Sequence, residues 1–359
     1  MKAAICYEFG KPVIIDDVTI DSPKRNEVKV RLAATAICHS DIHDVKGELL
    51  GPVPFVPGHE AAGYIDEVGP EVTGVKPGDP VVVTLLASCG GCYNCLRGMP
   101  HLCPVRYKPK TEMRLWDKKG RPLIQKGGVG GFAEYALVKE SQVVKIPQDM
   151  PLDRAALLAC GVITGFGAVV NRAKVKPFSS VVVTGTGGVG LNAIQGAAFS
   201  GAYPIIAVDI LDSKLEAAKK FGATHAVNGS DPGAVENVRK ITDGQGADYV
   251  FITVGNTAAI RQGFDMSGTR GTTVIVGLPR REDKISFSPF EFIGSERSIT
   301  GSSMGSTNIK IDIPRLITLY KTGKLKLDEL ITNRYPLEKI NEGMESVIKG
   351  EALRNVIVF

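Results

Sequence analysis

The run Val181-Val182-Val183-Thr184-Gly185-Thr186-Gly187-Gly188-Val189-Gly190 restricts the fold of this chain more than any other stretch. Its first four residues read as a buried strand, and Leu191 to Phe199 reads as a helix rich in small residues, so the glycines stand at a strand-to-helix turn. Further strands are predicted at Ile205–Val208, Tyr249–Ile252 and Thr273–Val276, with a helix from Ser213 to Phe221 that turns Lys214, Lys219 and Lys220 outward. Strands alternating with helices imply a parallel sheet covered on both faces. In that setting G-x-G-x-x-G is a dinucleotide fingerprint. Gly185, Gly187, Gly188 and Gly190, with Val189 among them, form a tight turn that pyrophosphate can approach closely. The helix that follows offers free N–H groups and a favourable dipole.

Asp209 ends the next strand, nineteen residues after Gly190. A carboxylate there accepts hydrogen bonds from the adenosine ribose hydroxyls. The extra phosphate of NADP would meet a like charge, and no arginine waits at Ile210 or Leu211. NAD is the expected cofactor.

The first 160 residues read differently. Val28 to Leu32 alternates as a half-buried strand does, and Gly and Pro recur at Gly51-Pro52, Pro57-Gly58 and Lys76-Pro77-Gly78-Asp79. Short strands and frequent turns predict a β-rich, barrel-like or sandwich domain. Pro104 to Gly131 shows no periodicity and reads as a long loop. The last sixty residues, with a helix at Ile313–Lys321 and a strand at Asn355–Phe359, are expected to return to the first domain. The expected division is therefore 1–161 completed by 300–359, and 162–299.

Cys89-Gly-Gly-Cys92-Tyr-Asn-Cys95 continues to Cys103, a C-x2-C-x2-C-x7-C spacing. Four thiolates brought together by a tight turn can surround one zinc ion tetrahedrally, leaving no open position, so the site reads as structural. An iron–sulfur cluster competes for the same spacing. Seven cysteines, an odd number with four inside fifteen residues, suit a reducing compartment and metal binding before disulfides. Three other segments each offer one ligand: Cys38 in Ile37-Cys38-His39-Ser40-Asp41-Ile42-His43, His59 in Pro57-Gly58-His59-Glu60, and Cys160 in Leu158-Ala159-Cys160-Gly161. Spacing alone does not join them, and Cys6, His101 and His225 read as ordinary packed or surface residues.

A formal charge of +5, spread over scattered Lys and Arg, implies no nucleic-acid stripe. No apolar run reaches membrane-spanning length, and Met1 to Phe9 lacks a signal-peptide pattern. A cytoplasmic protein is expected, with no membrane or nucleic-acid partner.

Taken together, Gly58-His59-Glu60-Ala61-Ala62-Gly63, the cysteine lobe, the glycine fingerprint and Lys339-Ile340-Asn341-Glu342-Gly343 resemble the zinc-containing alcohol dehydrogenases of the medium-chain dehydrogenase/reductase superfamily over essentially the whole length. That resemblance implies a GroES-like catalytic domain beside a Rossmann domain, with the site in the cleft between them. It implies two zinc ions and NAD. Cys38, His59 and Cys160 would hold the catalytic zinc, with Asp41 orienting His59 and Glu60 behind the metal. Ser40 and His43 would relay the substrate proton. Lys214 would lie near the adenosine ribose, and Arg354 and His39 near the pyrophosphate. Leu49 and Leu85 would line the substrate pocket, and Met113–Trp116 can reach into it. The activity implied is reversible oxidation of a primary or secondary alcohol in a homodimer or homotetramer. A thiol-adduct formaldehyde dehydrogenase and a polyol dehydrogenase are alternatives in the same family. A zinc module without catalysis is the alternative outside it.

Overall fold

The computed structural model describes residues 1–49, 51–107 and 112–359, with side chains at 106 and 107 left aside. The chain forms two compact units, Met1–Cys160 with Asn308–Phe359, and Gly161–Thr307. Among the described residues, no helix is long and apolar enough to cross a membrane.

The first unit carries a nearly closed, barrel-like sheet of seven strands. Its order is Val143–Lys145, Pro80–Val83, Glu60–Val68, Glu27–Ala36, Arg354–Val358 and Ile331–Pro336, with Tyr135–Lys139 also pairing to Glu27–Ala36. The Val28 to Leu32 alternation is the inner face of that central strand. Val28, Val30 and Leu32 bury against Ala61, Ile65, Val81, Val83 and Val138. The C-terminal strand pairs antiparallel with Glu27–Ala36, Val356 opposite Ala36. The end of the chain thereby abuts the segment that leads into Cys38.

The long-loop reading of Pro104–Gly131 is corrected. Residues 108–111 lie outside the described part, but Leu115–Asp117 and Pro122–Gln125 are paired strands. They belong to a five-stranded sheet with Lys2–Ile5, Ile14–Ile20 and Phe55–Val56. Strands of three and four residues are too short to show a period. What holds them is burial of Leu115 and Leu123 against Ile5, Val18 and Val56. Met113–Trp116 is likewise tied down: Arg114 is buried, with its guanidinium on Asp21, Glu27 and the Ser22 carbonyl. Trp116 is half-buried in the strand, opposite Thr19.

The second unit is a six-stranded parallel sheet in the order His225–Asn228, Ile205–Asp209, Val181–Thr184, Ala247–Ile252, Ser267–Ile275 and Ser298–Gly301. The chain leaves Val181–Thr184 for the neighbour on one side and later returns on the other. That reversal of winding beside one strand end is where doubly wound sheets bind ligands. The helix after the fingerprint runs Gly188–Phe199, three residues earlier than expected. Glycines opposed a helix only in propensity, and here they occupy its first turn. The following helix is Asp212–Lys220, with Lys214 half-buried rather than outward. The helix expected to start at Ile313 begins at Ile309 and carries Pro314 inside it.

Candidate functional site

Cys38 stands immediately before helix His39–Lys46, and Asp41 in the first turn organises what surrounds it. The Asp41 carboxylate is 1% exposed. One oxygen accepts from the Cys38 amide at 2.9 Å. The other accepts from the Gly58 amide at 3.1 Å and from His59 Nδ1 at 2.9 Å. With Nδ1 donating to Asp41, Nε2 is the ring atom left for a ligand. It lies 3.5 Å from the Ser40 hydroxyl, which also donates to Cys38 Sγ at 3.2 Å.

The ligand atoms of Cys38, His59, Glu60 and Cys160 all lie within 4.8 Å of one another, and all four residues are buried. The group lies wholly within the first unit. Hydrogen bonding from Cys160 holds the Cys38 thiol well below the ordinary thiol range against the cost of burial, while the Cys160 thiol is pushed up. Burial works against a charged His59, but Asp41 and Cys38 hold its imidazole well above the usual value. Burial pushes Glu60 up to about 7 despite the pull of Arg354. One Glu60 oxygen pairs with the Arg354 guanidinium, and the other has no hydrogen-bond partner among the described residues. Two thiols and one imidazole nitrogen, converging and shielded, form a three-donor set that fits a zinc ion with one position left for an exchangeable ligand, and the orphaned Glu60 oxygen stands beside it.

The cysteine lobe passes the same test by distance. Cys103 Sγ lies 3.6 Å from Cys89 Sγ and 3.8 Å from Cys92 Sγ. A tetrahedron with metal–sulfur arms of about 2.3 Å has edges of about 3.8 Å. Cys95 completes the group within the same 4.8 Å limit. The Gly91 amide and the neighbouring thiols bring Cys89 down to about 7, and burial pushes Cys103 up to about 11.

In the second unit, the glycine turn joins Val181–Thr184 to helix Gly188–Phe199. A Cβ on Gly190 would fall 1.8 Å from the Gly185 carbonyl oxygen, so only glycine closes this turn. Among the described residues, and apart from its two chain neighbours, nothing lies within 4 Å of where a Gly187 Cβ would stand, an open face that pyrophosphate fits. Asp209 is drawn onto the same turn: one oxygen accepts from the Thr186 amide at 2.7 Å and its hydroxyl at 2.9 Å. The other accepts from the Leu211 amide at 3.1 Å. Thr186, an unspecified position in the fingerprint, thus orients the acid.

His43 is half-buried, and its Nδ1 pairs with Glu48, a partner five residues on that helical spacing alone did not suggest. His39 is exposed, with its ring 6.2 Å from that of His43. Leu49 and Leu85 are half-buried. Arg354 lies in the first unit, 6% exposed, committed to Glu60. The sequence carried no sign of this pair, since its members stand 294 residues apart.

A family model described as an alcohol dehydrogenase GroES-like domain matches residues 24–148, and one described as a zinc-binding dehydrogenase matches residues 188–322. The chain is 39% identical to an NDMA-dependent alcohol dehydrogenase of Amycolatopsis methanolica, over 99% of this chain and 98% of that one. It is 38% identical to an S-(hydroxymethyl)glutathione dehydrogenase of Saccharomyces cerevisiae, over 99% of this chain and 95% of that one. The crystal structure of a benzyl alcohol dehydrogenase from Acinetobacter calcoaceticus superposes with a TM-score of 0.93 at 34% identity, covering 100% of this chain and 99% of the other. The chain belongs to the zinc-containing alcohol dehydrogenases of the medium-chain dehydrogenase/reductase superfamily. It is an alcohol-oxidising enzyme of that family, with zinc and NAD as its cofactors.

Proposed function

We propose that the protein oxidises primary or secondary alcohols with NAD at a site built on Cys38, His59 and Cys160, while Cys89, Cys92, Cys95 and Cys103 hold a second, structural zinc. The observation that carries this reading is the buried convergence of the first group. When bound, zinc supplies Lewis acidity to the alcohol oxygen and NAD supplies the hydride acceptor. The chain's own residues do the rest. Asp41 fixes the His59 tautomer and orientation. Arg354 balances the negative charge of Glu60 and the thiolates in a medium where an unpaired charge is costly. The Ser40 hydroxyl, already beside Cys38 Sγ, would accept the alcohol proton as it releases its own toward half-exposed His43, which hands a proton on to water. Asp209 receives the adenosine ribose, with Lys214 near it on the next helix. A cytoplasmic homodimer or homotetramer is part of the same reading.

The test is a panel of aliphatic, aromatic and polyol alcohols with NAD and NADP, followed by NADH absorbance. Oxidation of simple alcohols supports the reading, and its absence across the panel overturns it. Similarity to the S-(hydroxymethyl)glutathione dehydrogenase favours one second reading, in which the substrate is a hydroxymethyl thiol. Oxidation of formaldehyde only when glutathione or mycothiol is added would select it.

Two further outcomes are expected. His43→Gln lowers turnover near neutral pH, toward the low end of the about 10²–10⁴-fold that a positioned proton carrier contributes, and leaves zinc content unchanged. An unaltered pH–rate profile removes His43 from the relay. The wild type prefers NAD over NADP by about 100-fold or more in kcat/KM. A carboxylate bound to two hydroxyls gains about 1.5–3 kcal/mol, and a phosphate turns that into repulsion, for a total of at least about 2.8 kcal/mol. Asp209→Gly shrinks the preference without reversing it. Equal kcat/KM for the two cofactors in the wild type rejects the placement.

A further inference from the structure

Four of the five residues from Gly127 to Gly131 are glycine, and this segment runs against the metal site. A Cβ on Gly127 would stand 3.1 Å from His59 Cβ and 3.9 Å from Leu85 Cβ. Gly127, Gly128 and Gly130 all have positive φ, at 61°, 72° and 63°. Its one side chain, Val129, is fully buried in the barrel core, and the Val129 and Gly128 carbonyls accept from Gln125 Nε2 at 3.0 Å and Gln142 Nε2 at 3.4 Å, but the glycines around it lose more freedom on ordering than any other residue. The exact placement of Gly127, upstream of that anchor, therefore depends also on what grips the ends of the segment.

The downstream end is held by main-chain bonds. The Gly131 amide donates to the Gly58 carbonyl at 2.8 Å, the Phe132 amide to the Pro57 carbonyl at 3.0 Å, and the Thr35 hydroxyl to the Gly131 carbonyl at 2.7 Å. The upstream end continues the paired strand Pro122–Gln125 and is held in addition by a charge. Lys126 Nζ lies 2.8 Å from Asp44 Oδ1, with side-chain exposures of 19% and 9%. The same ammonium stands 5.2 Å from the ring centroid of fully buried Phe55. Asp44 sits on helix His39–Lys46, the helix that Cys38 precedes and that carries Ser40, Asp41 and His43. Lys126 thus ties the segment beside His59 to the element that positions Cys38. A half-buried pair of this kind is well suited to fixing geometry, because little water competes for either charge.

We propose that the Asp44–Lys126 pair is a positioning device for the metal site, clamping Gly127 against His59 so that the imidazole and the Cys38 thiol keep one relative geometry. Lys126 touches no reacting atom and acts through His59. The proposal rests on the assignment of Cys38, His59 and Cys160 as ligands.

The test uses the full-length protein loaded with cobalt(II) in place of zinc, comparing wild type, Lys126→Met, Lys126→Arg, the double variant Asp44→Asn/Lys126→Met, and Cys38→Ser. The double variant removes the cost of an unpaired buried carboxylate while still lacking the clamp. It also keeps the test open if Lys126→Met folds poorly. The readouts are the visible cobalt spectrum and the rate of cobalt loss to a chelator, with the signal that survives in Cys38→Ser subtracted as that of the cysteine lobe. In both Met-containing variants the site's band should shift and its cobalt should leave about tenfold faster, the low end for loss of an outer partner of a ligand. Lys126→Arg should restore both. Wild-type spectra and release rates in the Met-containing variants overturn the proposal, whatever happens to their melting temperatures. A cobalt signal unchanged in Cys38→Ser sinks the ligand assignment, and the proposal with it.

Discussion

Replacing Cys38 by serine is expected to cut kcat/KM by about 10³-fold or more and to lower zinc from two ions per chain to one. The magnitude follows from what the metal does. Lewis-acid stabilisation of the developing alkoxide is worth several kcal/mol, and about 4 kcal/mol corresponds to about 10³-fold. Serine keeps the size and backbone of the residue but offers a hydroxyl that stays protonated where the thiol does not. In this site the Cys38 thiol is held well below its usual range by Cys160, so the substitution removes the group most ready to bind as an anion. It also removes the sulfur on which the Ser40 hydroxyl is aligned. The change should leave the fold largely in place, because helix His39–Lys46 keeps its Asp41 cap on the residue 38 amide, which does not depend on the side chain. Metal analysis, circular dichroism and alcohol kinetics on one preparation check all three parts. Retention of both zinc ions in Cys38→Ser, or full wild-type activity with a single ion, would falsify the two-site assignment.

What the sequence could reveal about this site followed the range of the forces involved. The fingerprint at Gly185–Gly190 was readable because its chemistry is local: a strand, a turn only glycine can close, and a helix start lie within a dozen residues. The cysteine lobe was readable for the same reason. Cys38, His59 and Cys160 were not joined by any spacing and needed the family resemblance, because the fold supplies their proximity. Helix His39–Lys46 brings Cys38 and strand Glu60–Val68 brings His59 and Glu60, while Cys160 follows helix Leu152–Leu157. The Glu60–Arg354 pair depends on the C-terminal strand entering the barrel sheet beside Glu27–Ala36, a long-range register that residue patterns do not encode locally. The same limit hid the strands at Leu115–Asp117 and Pro122–Gln125, where tertiary burial of two leucines outweighs weak local preference. The helix expected from Ile313 starts four residues earlier, at Ile309, and accommodates Pro314 inside its first turns.

Cys103→Ser is expected to strike stability where Cys38→Ser strikes activity. Cys103 is the fully buried member of its group, 0% exposed, with Cys89 and Cys92 sulfurs at 3.6 and 3.8 Å and the Cys89 amide also donating to it. The lobe from Cys89 to Cys103 holds one turn of α-helix at Tyr93–Leu96 and one 3-10 turn at Pro100–Leu102, and its Tyr93 and Leu96 are exposed. It has little apolar core to stabilise it, so the ion must supply that order. Losing about 3–4 kcal/mol, a fraction of the about 10–16 kcal/mol that structural zinc gives a small zinc-dependent fold, lowers Tm by about 6–16 °C at about 2–4 °C per kcal/mol for a unit of this size. The chains that remain folded should keep the Cys38, His59 and Cys160 zinc and a kcat close to wild type. Acid should act in the same direction. Binding requires four thiolates, protons compete for them, and burial pushes the Cys103 thiol up to about 11. The chelator concentration needed to destabilise the wild type should therefore fall as pH is lowered through the neutral range, while Cys103→Ser, already without that ion, should show no such dependence. Thermal unfolding at a fixed scan rate, with and without chelator at several pH values, measures both effects. A Cys103→Ser protein that melts with the wild type, or a chelator response independent of pH, rejects a structural ion in the lobe.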